Sequence, residues 1–235
     1  MTNIKPFLIL LPFAGGNAYS YRPLLASLAT SYELVTPELP GRGSLTQQPL
    51  LDNIEELVDY LFKGVFQTLD LSRGYVSYGH SMGALVAYLL THKINQSTLP
   101  KALHLVISGH KAPCFKRKTI IHNLPSAAFW EKLKNKGGIP NEVLENKELR
   151  EYFEPIIRND FKLVETYQYK IAQHSLNLPM TVIYGDQDDM DDESVYAWQQ
   201  ENKQTIKFIQ MHGNHFFIYN HVATLTKYIN SLVNQ

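Results

Sequence analysis

At 235 residues and 26.9 kDa the chain can bury one large core or two small ones, and 44% apolar against 19% charged residues exclude a disordered polymer. Twenty-two Lys plus Arg balance twenty-two Asp plus Glu, so no overall field draws it to nucleic acid or to a membrane surface. One cysteine excludes an internal disulfide and a thiolate metal cluster, and points to a reducing, cytoplasmic compartment.

In chain order, the first apolar run covers residues 7–11. It is too short to span a bilayer and has no small-residue cleavage site, so it reads as a first core strand. Further β-rich runs follow at 33–36, 75–78, 103–108, 180–184 and 206–210, most without polar alternation, as strands covered on both faces require. Between the second and third lies a helical stripe of Ile54, Leu57, Val58, Leu61, Phe62, Val65, Phe66 and Leu69, with Asp52 and Glu55 as its expected capping box. Strands alternating with helices predict an α/β architecture, a mainly parallel, doubly wound sheet in a single domain spanning residues 1–235. Loops at the carboxyl ends of such strands can meet in one crevice.

Residues 111–175 break the alternation. Four helices are expected, at 126–136, 141–144, 147–152 and 160–173, separated by turn signals at Gly137-Gly138-Ile139-Pro140 and at Pro155. An all-helical insert between two sheet strands reads as a lid over the carboxyl edge. Gly137 and Gly138 either let it bend or only end a helix. Its apolar residues Phe129, Leu133, Ile156, Phe161 and Val164 either line a chamber or pack the lid onto the sheet.

The chemistry is concentrated at Gly79-His80-Ser81-Met82-Gly83, a G-x-S-x-G between a strand and an Ala-rich helix. The glycines remove Cβ atoms from a crowded turn and leave the Ser81 hydroxyl at its tip, the setting of an activated nucleophile. Such a serine needs a base and a group that orients the base, and on this scaffold they follow as acid, then histidine. Among nine histidines, His215 stands between a strand and an apolar helical run and is the expected base, with His212 as local rival and His80 as a supporting neighbour. The acid comes from the run 186–193. Asp188 is favoured, Asp186 and Asp189 are its rivals, and Asp191, Asp192 and Glu193 suit the first turn of a helix. The spacing fits neither a zinc site nor a calcium loop, so no metal is expected.

An oxyanion requires amide donors. The N–H of Met82 is one, and the loop Pro12-Phe13-Ala14-Gly15-Gly16 supplies the second, from Ala14 or its neighbour Phe13. That Gly-Gly loop lacks the Lys and Ser/Thr of a phosphate cradle, and no cofactor fingerprint occurs. Arg42, in Pro40-Gly41-Arg42-Gly43, either holds a phosphate or braces its loop.

Taken in order, Leu11-Pro-Phe-Ala-Gly-Gly16, Glu38-Leu-Pro-Gly-Arg-Gly43, Gly79-His-Ser-Met-Gly-Ala84, Phe129 through Pro140, Pro155-Ile-Ile-Arg-Asn-Asp-Phe161, Gly185-Asp-Gln-Asp188 and Gly213-Asn-His-Phe216 resemble the type II thioesterases. These are free-standing α/β-hydrolases that accompany nonribosomal peptide and polyketide synthases in antibiotic biosynthesis. The resemblance implies Ser81, Asp188 and His215 as a triad that hydrolyses acyl groups from the phosphopantetheine thiol of acyl or peptidyl carrier proteins, clearing stalled or misprimed arms. The protein itself is then expected to be a monomer without cofactor. The chain departs from the family's frequent pattern at Asn214, where a second Gly is common before the histidine, and at Asp189, where a Pro often follows the acid. Medium-chain thioesterases of fatty acid synthesis are similar and give the alternative reading, as does a carboxylester hydrolase. Carrier proteins are generally acidic, so Lys116, Arg117 and Lys118 beside the lid are expected docking contacts, or else a solvated turn.

Overall fold

The computed structural model describes residues 4–115, 119–170 and 175–234. Strands β1 (Phe7–Leu11), β2 (Glu33–Val35), β3 (Tyr75–His80), β4 (His104–Ser108), β5 (Met180–Gly185) and β6 (Lys207–Met211) form one six-stranded sheet in the order β2-β1-β3-β4-β5-β6. Every neighbouring pair is parallel. The helices are α1 (Arg22–Leu28), α2 (Ile54–Leu61), α3 (Met82–Asn95), α4 (Ser126–Lys136), α5 (Asn141–Glu145), α6 (Lys147–Glu165), α7 (Asp192–Tyr196), α8 (Phe217–Asn220) and α9 (Val222–Ser231).

The continuous apolar runs have a direct structural cause. Phe7, Ile9 and Leu11 pack with α2 and α3 on one face of the sheet, while Leu8 and Leu10 of the same strand pack with α1 and α9 on the other. Leu105 and Ile107 of β4 again face opposite to Val106. Alternate side chains enter opposite apolar layers, so no position is left for a polar residue.

The stripe predicted from Ile54 faces the core, with Val65 and Leu69 only half-buried, but two details differ. The cap is one residue later: the Asn53 side chain accepts the Glu56 N–H at 2.9 Å, and Glu56 reaches back to the Asp52 N–H at 3.1 Å. The α-helix then ends at Leu61, and the chain continues as a π-helical turn over Phe62–Phe66 that keeps Phe62 and Phe66 in the core.

Between β4 and β5 the separation expected at Pro155 does not occur. The helices predicted at 147–152 and 160–173 are one, α6, with Pro155 inside it and its end at Glu165; Ile171 to His174 lie outside the described residues. Glu151, whose carbonyl loses its donor to Pro155, is exposed, so water can satisfy it. The opposite stripe of Ile156, Ile157, Leu163 and Val164 is buried, and its packing keeps the helix continuous through the interruption. Ile157 belongs to a small cluster with Ile121, Phe129, Trp130 and Leu133, whereas Leu163 and Val164 join the main core, so α6 fastens the inserted helices to the sheet. Gly137 and Gly138, at φ 76° and 81°, end α4.

Register places the loops. Leu11 pairs with Gly79, setting the loop after β1 beside the turn after β3, and Gly185 pairs with Met211, setting the acidic loop beside the histidine loop. Among the described residues no helix is long and apolar enough to cross a membrane.

Candidate active site

Ser81 is the one non-glycine residue at positive φ among the described residues, at φ 55° and ψ −117°. A conformation of this kind costs about 1–3 kcal/mol and persists only where its surroundings enforce it. Here they do. The Ser81 N–H donates to the Ser108 carbonyl at 2.8 Å across the sheet. A Cβ on Gly79 would collide with the Gly83 carbonyl, and one on Gly83 with the carbonyl of Leu11. Both glycines of the motif are therefore demanded by backbone-to-backbone approach.

His215 turns in from the loop after β6, its Nε2 2.9 Å from the Ser81 hydroxyl and its Nδ1 2.7 Å from Asp188 Oδ2. Asp188 also accepts the Asp189 N–H at 2.8 Å. Burial alone would push the Asp188 carboxyl up, but the hydrogen bond and charge of His215 outweigh it and hold the group below the usual carboxylate range. An ionised Asp188 fixes the Nδ1–H tautomer, so the Nε2 lone pair faces the serine hydroxyl, ready to take its proton.

The rivals have other partners. Asp186 accepts the Gly213 N–H at 2.8 Å and binds His212 Nδ1 at 3.0 Å, clamping the acidic loop to the histidine loop. That pair of contacts, the Gly213 amide first, lowers the Asp186 carboxyl. Asp189 is exposed and contributes its amide to Asp188. His80 is fully buried, with Nδ1 3.0 Å from the Ser108 hydroxyl and its ring centroid 5.1 Å from that of His215. Burial, reinforced by the neighbouring His215, pushes its pKa well down, so it is a neutral ring packed beside the base.

Two cavities, of about 350 and 270 Å³, share His215, Lys136 and Phe161 in their walls. The larger contains Ser81 and the loop Phe13–Asn17, roofed by Leu133, Ile139, Val143, Phe153 and Ile157. Gly138 lies against the Phe216 ring there, where a Cβ would not fit. Of the lid residues named from sequence, Leu133 and Phe161 line cavities, whereas Phe129, Ile156 and Val164 are buried in packing. Ala14 borders the larger cavity, and among the described residues the N–H groups of Ala14 and Met82 have no hydrogen-bond acceptor. The Phe13 N–H, the alternative donor, likewise has no acceptor among the described residues, and its ring is the centre of an aromatic cluster with Tyr21, His80, Phe216 and Tyr219.

Arg42 braces its loop. Its guanidinium is buried, with Nη1 and Nη2 at 2.6 and 2.7 Å from the two oxygens of Asp160, and Nη1 also donates to the Gly16 carbonyl at 3.0 Å. Sequence reasoning gave Asp160 no role of its own. The signal was present: with Ile156, Ile157, Leu163 and Val164 it falls on the apolar stripe of an amphipathic helix, where a carboxylate must have a partner.

The thioesterase domain family matches residues 6–232. The chain belongs to the thioesterase family. Within it, a gramicidin S biosynthesis protein of Aneurinibacillus migulanus is 29% identical over 90% of this chain and 82% of its own length. The structure of the colibactin-pathway protein ClbQ superposes with a TM-score of 0.91 at 30% identity, covering 98% of this chain and 97% of that one. The type II thioesterase BorB of the borrelidin cluster superposes at 0.88 with 28% identity, over 97% and 93% of the two chains. The parallel sheet with its flanking helices is the α/β-hydrolase fold of these structures, and the thioesterase is of the type II, editing class.

Proposed function

We propose that this thioesterase hydrolyses acyl groups from the phosphopantetheine thiol of carrier proteins, clearing arms that a nonribosomal peptide or polyketide synthase cannot extend. The observation that carries the reading is the hydrogen-bonded series Ser81–His215–Asp188, at 2.9 and 2.7 Å, in a chain that matches type II thioesterases over nearly its whole length. His215 takes the Ser81 proton as Oγ attacks the thioester carbonyl, and Asp188 stabilises the imidazolium that results. The N–H groups of Met82 and Ala14 receive the oxyanion, and His215 returns its proton to the departing thiol. Water, deprotonated by the same histidine, then releases the acid from Ser81. No cofactor enters any step.

The inserted helices, residues 111–175, act as a lid on this α/β-hydrolase domain, and the apolar cavity beneath α4, α5 and α6 receives the acyl chain. Its volume of about 350 Å³ falls at the low end of the range for pockets that enclose a small ligand. Lys116, Arg117 and Lys118, the docking contacts suggested for an acidic carrier, lie outside the described residues.

Mass spectrometry of the protein mixed with acyl-loaded carrier tests the reading. A covalent acyl adduct is expected on the unaltered enzyme and none on Ser81→Ala, with turnover lower by about four orders of magnitude or more. An acyl adduct persisting in Ser81→Ala, or an unaltered enzyme that leaves acyl-carrier intact, overturns it.

A further inference from the structure

Asp160 lies on α6, the longest helix of the insert, and is fully buried. Its Oδ2 accepts the Gly15 N–H at 2.7 Å as well as Arg42 Nη1, while Oδ1 holds Arg42 Nη2. Arg42 in turn donates to the Gly16 carbonyl. One carboxylate thus connects the lid helix, the loop after β2 and the two residues that follow Ala14. The contact is reinforced sterically: a Cβ on Gly15, which sits at φ 76°, would come within 2.9 Å of Ile157 Cγ1, so α6 lies directly on that loop.

We infer that Asp160 is a positioning residue that makes the oxyanion loop depend on the lid: the Ala14 amide is correctly aimed only while α6 is seated. The inference rests on the proposed role of Ala14 as an oxyanion donor. Asp160 fixes the plane of the Ala14–Gly15 peptide, while the Ala14 N–H lies in the preceding plane, whose Phe13 carbonyl accepts the Gly16 N–H at 2.8 Å, so the amide is aimed through Gly15 and Gly16 together. The Phe13 ring is anchored by its aromatic neighbours, so the residues of the loop whose placement depends on α6 are Gly15 and Gly16. Displacing α6 removes the acceptor of Gly15 and, through Arg42, the donor to Gly16, both at once. A buried charge left without its partner is costly, so partial opening is disfavoured and the coupling is close to two-state. A loosely held lid therefore leaves Ser81 and His215 in place but withdraws half of the oxyanion hole. Hydrolysis then requires α6 seated on the loop.

Hydrogen exchange over the peptide 12–17, measured together with hydrolysis of a small acyl-thiol, tests the coupling. In Asp160→Ala the loop amides should exchange at least tenfold faster, and kcat should fall tenfold or more with KM changed less than threefold. Asp160→Asn keeps one acceptor for Gly15 and should show a smaller loss of both kinds. Tyr88→Phe, which removes a hydroxyl bonded to the buried Glu201, serves as a control for general destabilisation and should leave loop exchange and kcat unaltered. Unchanged exchange and kcat in a folded Asp160→Ala protein overturn the inference, as does an equal fall of kcat in the control. If Asp160→Ala does not fold, Asp160→Asn decides by the same two measurements. The exchange arm is read without turnover, so it fails separately from the assignment of the enzyme as a thioesterase.

Discussion

Asp186 and Asp188 stand two residues apart on one loop, and both bind a histidine of the next loop. Only Asp188 binds the ring that faces Ser81, so the two carboxylates should separate cleanly in kinetics. Asp188→Asn is expected to lower kcat by about four orders of magnitude, because the amide no longer enforces the Nδ1–H tautomer, with KM little changed. Asp186→Asn and Asp189→Asn should each cost less than tenfold in kcat on the same acyl-thiol; a collapse at either instead of Asp188 would reverse the assignment. Ser81 and His215 were legible in the sequence because a strand, a turn and a helix surround each motif with context. The acid was less sharply legible: Asp188 was favoured over its rivals Asp186 and Asp189, and two neighbouring carboxylates with histidine partners differ only in where the loop aims them. Asp160 escaped notice for a related reason: its partners, Gly15 and Arg42, are distant in the chain.

Helix starts offer a similar lesson. Asp52 with Glu55 and Asn53 with Glu56 both satisfy the pattern of a capping box, and sequence spacing cannot rank them. The structure uses Asn53. Asn53→Ala should therefore destabilise the protein by about 1 kcal/mol in urea unfolding, whereas Asp52→Ala, which removes only an exposed contact at 3.6 Å to Lys162, should cost a few tenths. Equal losses would mean that the cap is shared. Pro155 misled in the opposite direction. Its local rule is sound, but the buried stripe on the far side of α6 supplies packing that outweighs one missing hydrogen bond on a solvated face. Strand positions, by contrast, were read to within a few residues, because a strand buried on both faces leaves an uninterrupted apolar run.

At the scale of the whole molecule, stability should depend on acid in a particular window. Burial pushes the His104 pKa down to about 4, with Lys207 adding to the effect, while the unfolded chain titrates near 6.5. Between those values the unfolded state binds the extra proton, so stability falls as pH drops from about 6.5 toward 4, by up to about 1.4 kcal/mol per pH unit for one group. His80 acts in the same sense. His104→Gln retains a partner for Thr181 and should lose less stability than the unaltered protein between pH 7 and pH 5 in urea titrations. Equal losses would remove His104 as the cause.

The strand order also sets a timetable for the folding of the chain. The first strand made, β1, sits between β2 and β3, and every ladder in the sheet is parallel, so no pair of strands can zip together from a tight hairpin. Each pairing must first close a crossover, and the entropy of closing it is spent before any ladder hydrogen bond forms. The segments that carry Ala14 and Ser81 leave the ribosome early. The ones that carry Asp188 and His215 leave late, and β6 joins the sheet at its edge, bonded to β5 alone. A nascent or C-terminally shortened chain can therefore shape the serine turn while lacking the base that makes it reactive. Ser81 gains its base only once β6 and the loop after it have joined the sheet.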